Sequence, residues 1–76
     1  MEKTAKVETR RIEVLFQHWV SEDRARRALK RFGLTPQSLA GHFGRSVILK
    51  VIVPADEVKE WIEKLEKDHD INAVRD

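Results

Sequence analysis

The densest apolar stretch of the chain is Ser46–Val53, SVILKVIV, in which Lys50 is the one charged residue. Six of its eight side chains are valine, isoleucine or leucine, and β-branched residues of this kind suit a pleated sheet better than a helix. Side chains alternate along a strand, so Val47, Leu49, Val51 and Val53 fall on one face and Ile48, Lys50 and Ile52 on the other. A strand apolar on both faces belongs in the middle of a sheet. A second strand pattern covers Arg10–Val20, RRIEVLFQHWV, where Ile12, Val14 and Phe16 alternate with Glu13 and Gln17. Leu15 and Trp19 share the face of Glu13 and Gln17.

Two segments carry the helical period. Ser21–Phe32 places Ala25, Ala28, Leu29 and Phe32 at i, i+3, i+4 and i+7, one apolar stripe. Ser21 is suited to the N-cap, Glu22 and Asp23 to the first turn, and Gly33 to the stop. Ala55–His69 repeats the spacing with Val58, Trp61, Ile62 and Leu65, and Pro54 before it ends the apolar strand. Ile71–Arg75 reads as a short closing strand. Leu34–Arg45 fits two patterns. As a strand, Gln37, Leu39, Gly41 and Phe43 share a face, with Gly44 and Arg45 turning into the next strand. As a helix, Thr35 caps and Leu39, Ala40 and Phe43 face inward. The strand is the preferred reading. Residues 1–9 lack a periodic pattern and are expected to form a flexible tail, leaving 10–76 as one domain.

The resulting order is strand, helix, strand, strand, helix, strand, with each helix obliged to bury one stripe. This predicts an α+β fold: a ferredoxin-like βαββαβ domain, a four-stranded antiparallel sheet in the order 4-1-3-2 with both helices on one face. The 76 residues contain no cysteine, so disulfides, thiolate metal sites and cysteine nucleophiles are excluded. Charged residues make up 37% of the chain but nearly cancel, to a net +2, a weak pull toward nucleic acid. No secretory or membrane-spanning run is visible, so a cytoplasmic protein without membrane contact is expected.

The second half, SVILKVIV through DEVKEWIEKLEKDHDINAVR, resembles the end of an ACT-type regulatory domain. The first half, IEVLF…RALKRFGL, resembles the opening of the small ligand-binding domain of methionine-importer ATPases, and also the tail domain of magnesium-transport-associated membrane proteins. The resemblance is one of pattern over residues 10–76. It implies a module that senses a small ligand or regulates an attached protein, with contacts around the first strand–helix loop and at a subunit interface. That loop, His18–Glu22, has no glycine, where ACT domains often carry one.

The candidate ligand-binding residues are His18, Trp19, Ser21, His42 and Arg45. In the expected topology His18, His42 and His69 all lie toward one end of the sheet, which makes them candidate transition-metal ligands; no cofactor is otherwise expected. Arg24, Arg26, Arg27, Lys30 and Arg31 form a basic helix face, the basis of an alternative nucleic-acid reading. A second basis is the helix-turn-helix-like segment 34–46. Gly41-His42-Phe43-Gly44 matches the bare GxxG of a KH clamp, but the strand after it lacks the helix a KH domain requires. No nucleophile elbow, phosphate loop or zinc-protease helix is present. The expected function is thus a small non-enzymatic regulatory or interaction module. Leu15, Trp19, Ile48 and Ile52 on the uncovered sheet face are its expected interface in a homo-oligomer, most simply a dimer.

Overall fold

The computed structural model describes residues 8–76. Strand β1 is Thr9–Phe16, helix α1 Glu22–Arg31, strand β2 Pro36–Phe43, strand β3 Ser46–Pro54, helix α2 Val58–Glu66 and strand β4 Ile71–Arg75. A single 3₁₀ turn, Ala55–Glu57, leads into α2. The strands form one antiparallel sheet in the order β2-β3-β1-β4. The expected tail over 1–9 lies outside the described residues for 1–7, while Thr9 already pairs with Pro54 and opens β1.

β1 and β3 sit at the centre, and their register runs from Thr9 opposite Pro54 to Leu15 opposite Ile48. This places Ile12, Val14 and Phe16 beside Val51, Leu49 and Val47 on one face, all buried with Val53. Ala25, Ala28 and Leu29 of α1 and Leu65 of α2 join the same cluster, so both helices cover this face. Phe32, Trp61 and Ile62, expected in the core from the helix stripes, pack against it and stay partly exposed. Trp61 keeps its indole N–H within 3.1 Å of the Glu57 carboxylate and its ring under Lys64 Nζ at 4.7 Å. Such contacts suit the rim of a core.

Segment 36–43 is a strand, which removes the helix-turn-helix alternative over 34–46. It does not keep one face. Register shifts between Pro36 and Leu39 and between Leu39 and Gly41 break the alternation, so Leu39 stands opposite Leu49 and Gly41 opposite Ile48. The expected common face of Leu39, Gly41 and Phe43 is therefore split. An extra residue in one strand re-aims everything after it, and Gly41 accommodates the break at φ +147°.

α1 is framed as its sequence predicts: the Ser21 hydroxyl accepts the Arg24 N–H at 3.2 Å, and Lys30 and Arg31 occupy the last turn. α2 ends at Glu66, not His69, because Asp68–Asp70 closes into a turn. The Ile71 N–H donates to the Asp68 carbonyl, and the Asp70 N–H to its carboxylate at 2.8 Å.

Candidate functional site

Among the described residues, no element covers the face of the sheet away from the helices. Reading across it, Gly41, Ile48, Leu15 and Ala73 make one row, and Lys50, Glu13 and Arg75 the next. A shallow hollow of about 200 Å³ lies over these rows, lined by Leu15, Ile48, Ala73, Phe43, Glu13 and Arg75. Phe43, at the end of β2, is 73% exposed and stands at the rim. Its floor is apolar, and its polar groups are one carboxylate and one guanidinium. Glu13, Lys50 and Arg75 form no ion pair with one another.

Three of the four expected interface residues, Leu15, Ile48 and Ile52, are on this face, Ile52 at 41% exposure. Trp19 is not. The strand pattern runs on to Val20 in the sequence, but β1 ends at Phe16 after a register shift at Leu15/Phe16. The Gln17 N–H donates to the Asp70 carbonyl at 2.8 Å, and the Val20 N–H returns to the Gln17 carbonyl at 3.0 Å. These bonds turn the chain, bury Val20 and take Trp19 out of the alternation. Phe43 and Ala73 join the face instead. The hairpin pattern around Gly44 could have pointed to Phe43, whereas the face of Ala73 depends on the β4 register.

The expected ligand-binding residues do not line this hollow. His18 and Trp19 meet edge to face at 5.2 Å between ring centroids, and His69 lies 5.6 Å from Trp19 on a tilted plane. The expected three-histidine metal site does not form: among the described residues no group of three or more His, Asp or Glu side chains is placed to hold a metal ion. The reason is lateral. His42 is on β2, which β3 separates from β1, and the other two imidazoles each pack against the Trp19 indole. Ser21 is committed as the cap of α1, and Arg45 is exposed in the β2–β3 turn.

The basic face of α1 is also partly committed. Arg24 Nε and Nη2 donate to the two carboxylate oxygens of Asp70 at 3.0 and 3.1 Å. Arg26 pairs with Glu22 at 2.9 Å, one turn back, and reaches the Gln37 carbonyl at 3.4 Å. Arg27, Lys30 and Arg31 remain exposed.

Each outer edge of the sheet carries a side-chain contact. On β4 the Val74 N–H donates to Glu66 at 3.3 Å. On β2 the strand begins with Pro36, is broken by two register shifts and receives Arg26 at Gln37. These features discourage pairing with another strand.

Among the described residues no helix is long and apolar enough to cross a membrane. No family model matches the chain, and neither a curated protein nor a solved structure matches it.

Proposed function

We propose that this chain is a small non-enzymatic regulatory or interaction module of the ferredoxin-like, ACT-like kind, acting in the cytoplasm through the open face of its sheet. The observation that carries this reading is the hollow over Leu15, Ile48 and Ala73, overhung by the exposed Phe43. Grouped apolar side chains on a small domain favour an interaction site, and the proline and register shifts of β2 turn contact away from that edge. The helix order and the β2-β3-β1-β4 sheet support the ferredoxin-like plan. Glu13 and Arg75 supply one hydrogen-bond acceptor and one donor fork beside an apolar floor, a lining suited to orienting a bound surface or ligand.

The second reading, a nucleic-acid-binding domain, has Arg27, Lys30 and Arg31 of α1 in its favour. Amide chemical-shift mapping separates the two. The apolar dye anilinonaphthalene sulfonate is expected to shift Leu15, Ile48 and Ala73. Mixed-sequence DNA and RNA at low salt are expected to leave α1 unmoved. Shifts along α1 that vanish as salt rises would give the nucleic-acid reading the better claim. Dye-induced shifts confined to other surfaces would count against the open face.

A further inference from the structure

The open face carries both signs of charge in one row and its apolar groups in the next. Glu13 is flanked by Lys50 and Arg75, and Leu15 by Ile48 and Ala73. We propose that the occupant of this face is a second copy of the chain, joined sheet to sheet about a two-fold axis that runs along the strands between β1 and β3. The proposal rests on the open face as the working surface and names its partner.

The direction of the axis decides which charges meet. A two-fold axis perpendicular to the sheet would keep both open faces pointing the same way, so in a face-to-face pair the axis lies in the plane of contact. An axis across the strands at the charged row sets Glu13 over the partner's Glu13 and Lys50 over the partner's Lys50. Like charges opposed across an interface disfavour that arrangement. An axis along the strands sets β3 over the partner's β1 and β2 over the partner's β4. Lys50 then meets the partner's Glu13, and the symmetry repeats that pair. Ile48 meets the partner's Leu15. Gly41 is carried over the partner's Ala73, and Phe43, one row further along β2, falls beside it toward the start of the partner's β4.

Size and charge agree with this partner. A cavity of about 150 Å³ accepts a benzene molecule, so the hollow of about 200 Å³ is large enough for one phenyl ring. Lys50 and Glu13 are opposite in sign and at one level, the pattern a self-complementary surface requires. Four strands about 4.8 Å apart make a face roughly 20 Å on a side, which buries on the order of 800–1,000 Å² over both copies. That lies below the size of stable complexes, so the dimer is expected to be weak and concentration-dependent. Edge-to-edge pairing would first have to displace Glu66 from Val74 or Arg26 from Gln37.

The test is sedimentation equilibrium of the 76-residue chain from micromolar to millimolar concentration, with circular dichroism as the control on folding. The wild type is expected to pass from monomer to dimer. Glu13→Lys and Lys50→Glu each place like charges across the contact and are expected to weaken it about tenfold or more. An equimolar mixture of these two variants is expected to dimerise again, because each chain supplies the sign that the other now faces. Phe43→Ala is expected to weaken the dimer and keep the helical spectrum. A wild type that stays monomeric throughout, or a mixture no better than its components, overturns the proposal. If that monomer still shows dye-induced shifts at Leu15, Ile48 and Ala73, only the choice of partner has failed. If those shifts are absent as well, the open-face reading has failed with it.

Discussion

Asp70 is 5% exposed, and every polar heavy atom it owns is bonded. Its carboxylate takes two N–H groups of Arg24, its N–H donates to Asp68, and its carbonyl accepts from Gln17. One residue thereby joins α1, the end of β1 and the turn before β4. The buried carboxylate depends on Arg24, whose own side chain is 53% exposed. Removing one partner of a fully buried pair costs about 3–5 kcal/mol, and the exposure of Arg24 places Arg24→Ala lower, at about 2 kcal/mol. Asp70→Asn keeps the shape but loses the charge, and about 1 kcal/mol is expected. Urea unfolding checks both: the midpoint should fall at an unchanged slope. In the sequence Asp70 reads only as part of a polar break after the second helix, because its partner lies 46 positions away. Trp19 leaves the strand alternation for a related reason. Its spacing from Leu15 fits a continuing strand, and the bonds that end β1 at Phe16 are made with a distant turn and leave no mark in the local pattern.

Elements whose ends are determined locally were legible almost to the residue. The cap at Ser21, the acids behind it and the apolar stripe of α1 are all contiguous, so reading and structure agree from Glu22 to Arg31. Ser21→Ala removes the bond to the Arg24 N–H and is expected to lower stability by about 1 kcal/mol, measured by thermal unfolding. β2 is the opposite case. Its sequence fits two patterns, and its faces depart from simple alternation because a bulge is a property of the pairing with β3. The hairpin that follows is better marked. Gly44 sits at φ +62° in the two-residue turn between Phe43 and Ser46, the conformation such turns require. A Cβ there would meet nothing within 4 Å. Gly44→Ala therefore tests backbone conformation alone, and a loss of about 1–2 kcal/mol is expected.

At the scale of the whole molecule, one sheet divides the chain into a covered side and an open side, and β3 contributes apolar residues to both. Patterning made the division visible, since Val47, Leu49, Val51 and Val53 separate from Ile48, Lys50 and Ile52 at a period of two. It could not say which side the helices take without the stripes of α1 and α2, nor which groups of β2 and β4 complete the open side. Val51 and Ile52 are chain neighbours that end on opposite sides, one fully buried and the other 41% exposed beside Arg11. Aspartate at the two positions therefore asks different things of the fold. Val51→Asp buries an unpaired carboxylate among Ile12, Leu49 and Leu65. Its cost of several kcal/mol is comparable to the whole stability of a 76-residue domain, about 4–11 kcal/mol, so the chain is expected to lose its cooperative transition. Ile52→Asp leaves the charge in solvent next to a guanidinium, and its melting temperature is expected to stay within a few degrees of the wild type. Circular dichroism melts of the two variants side by side provide the check. If Ile52→Asp unfolded while Val51→Asp melted cooperatively, the two faces of the sheet would have to be exchanged.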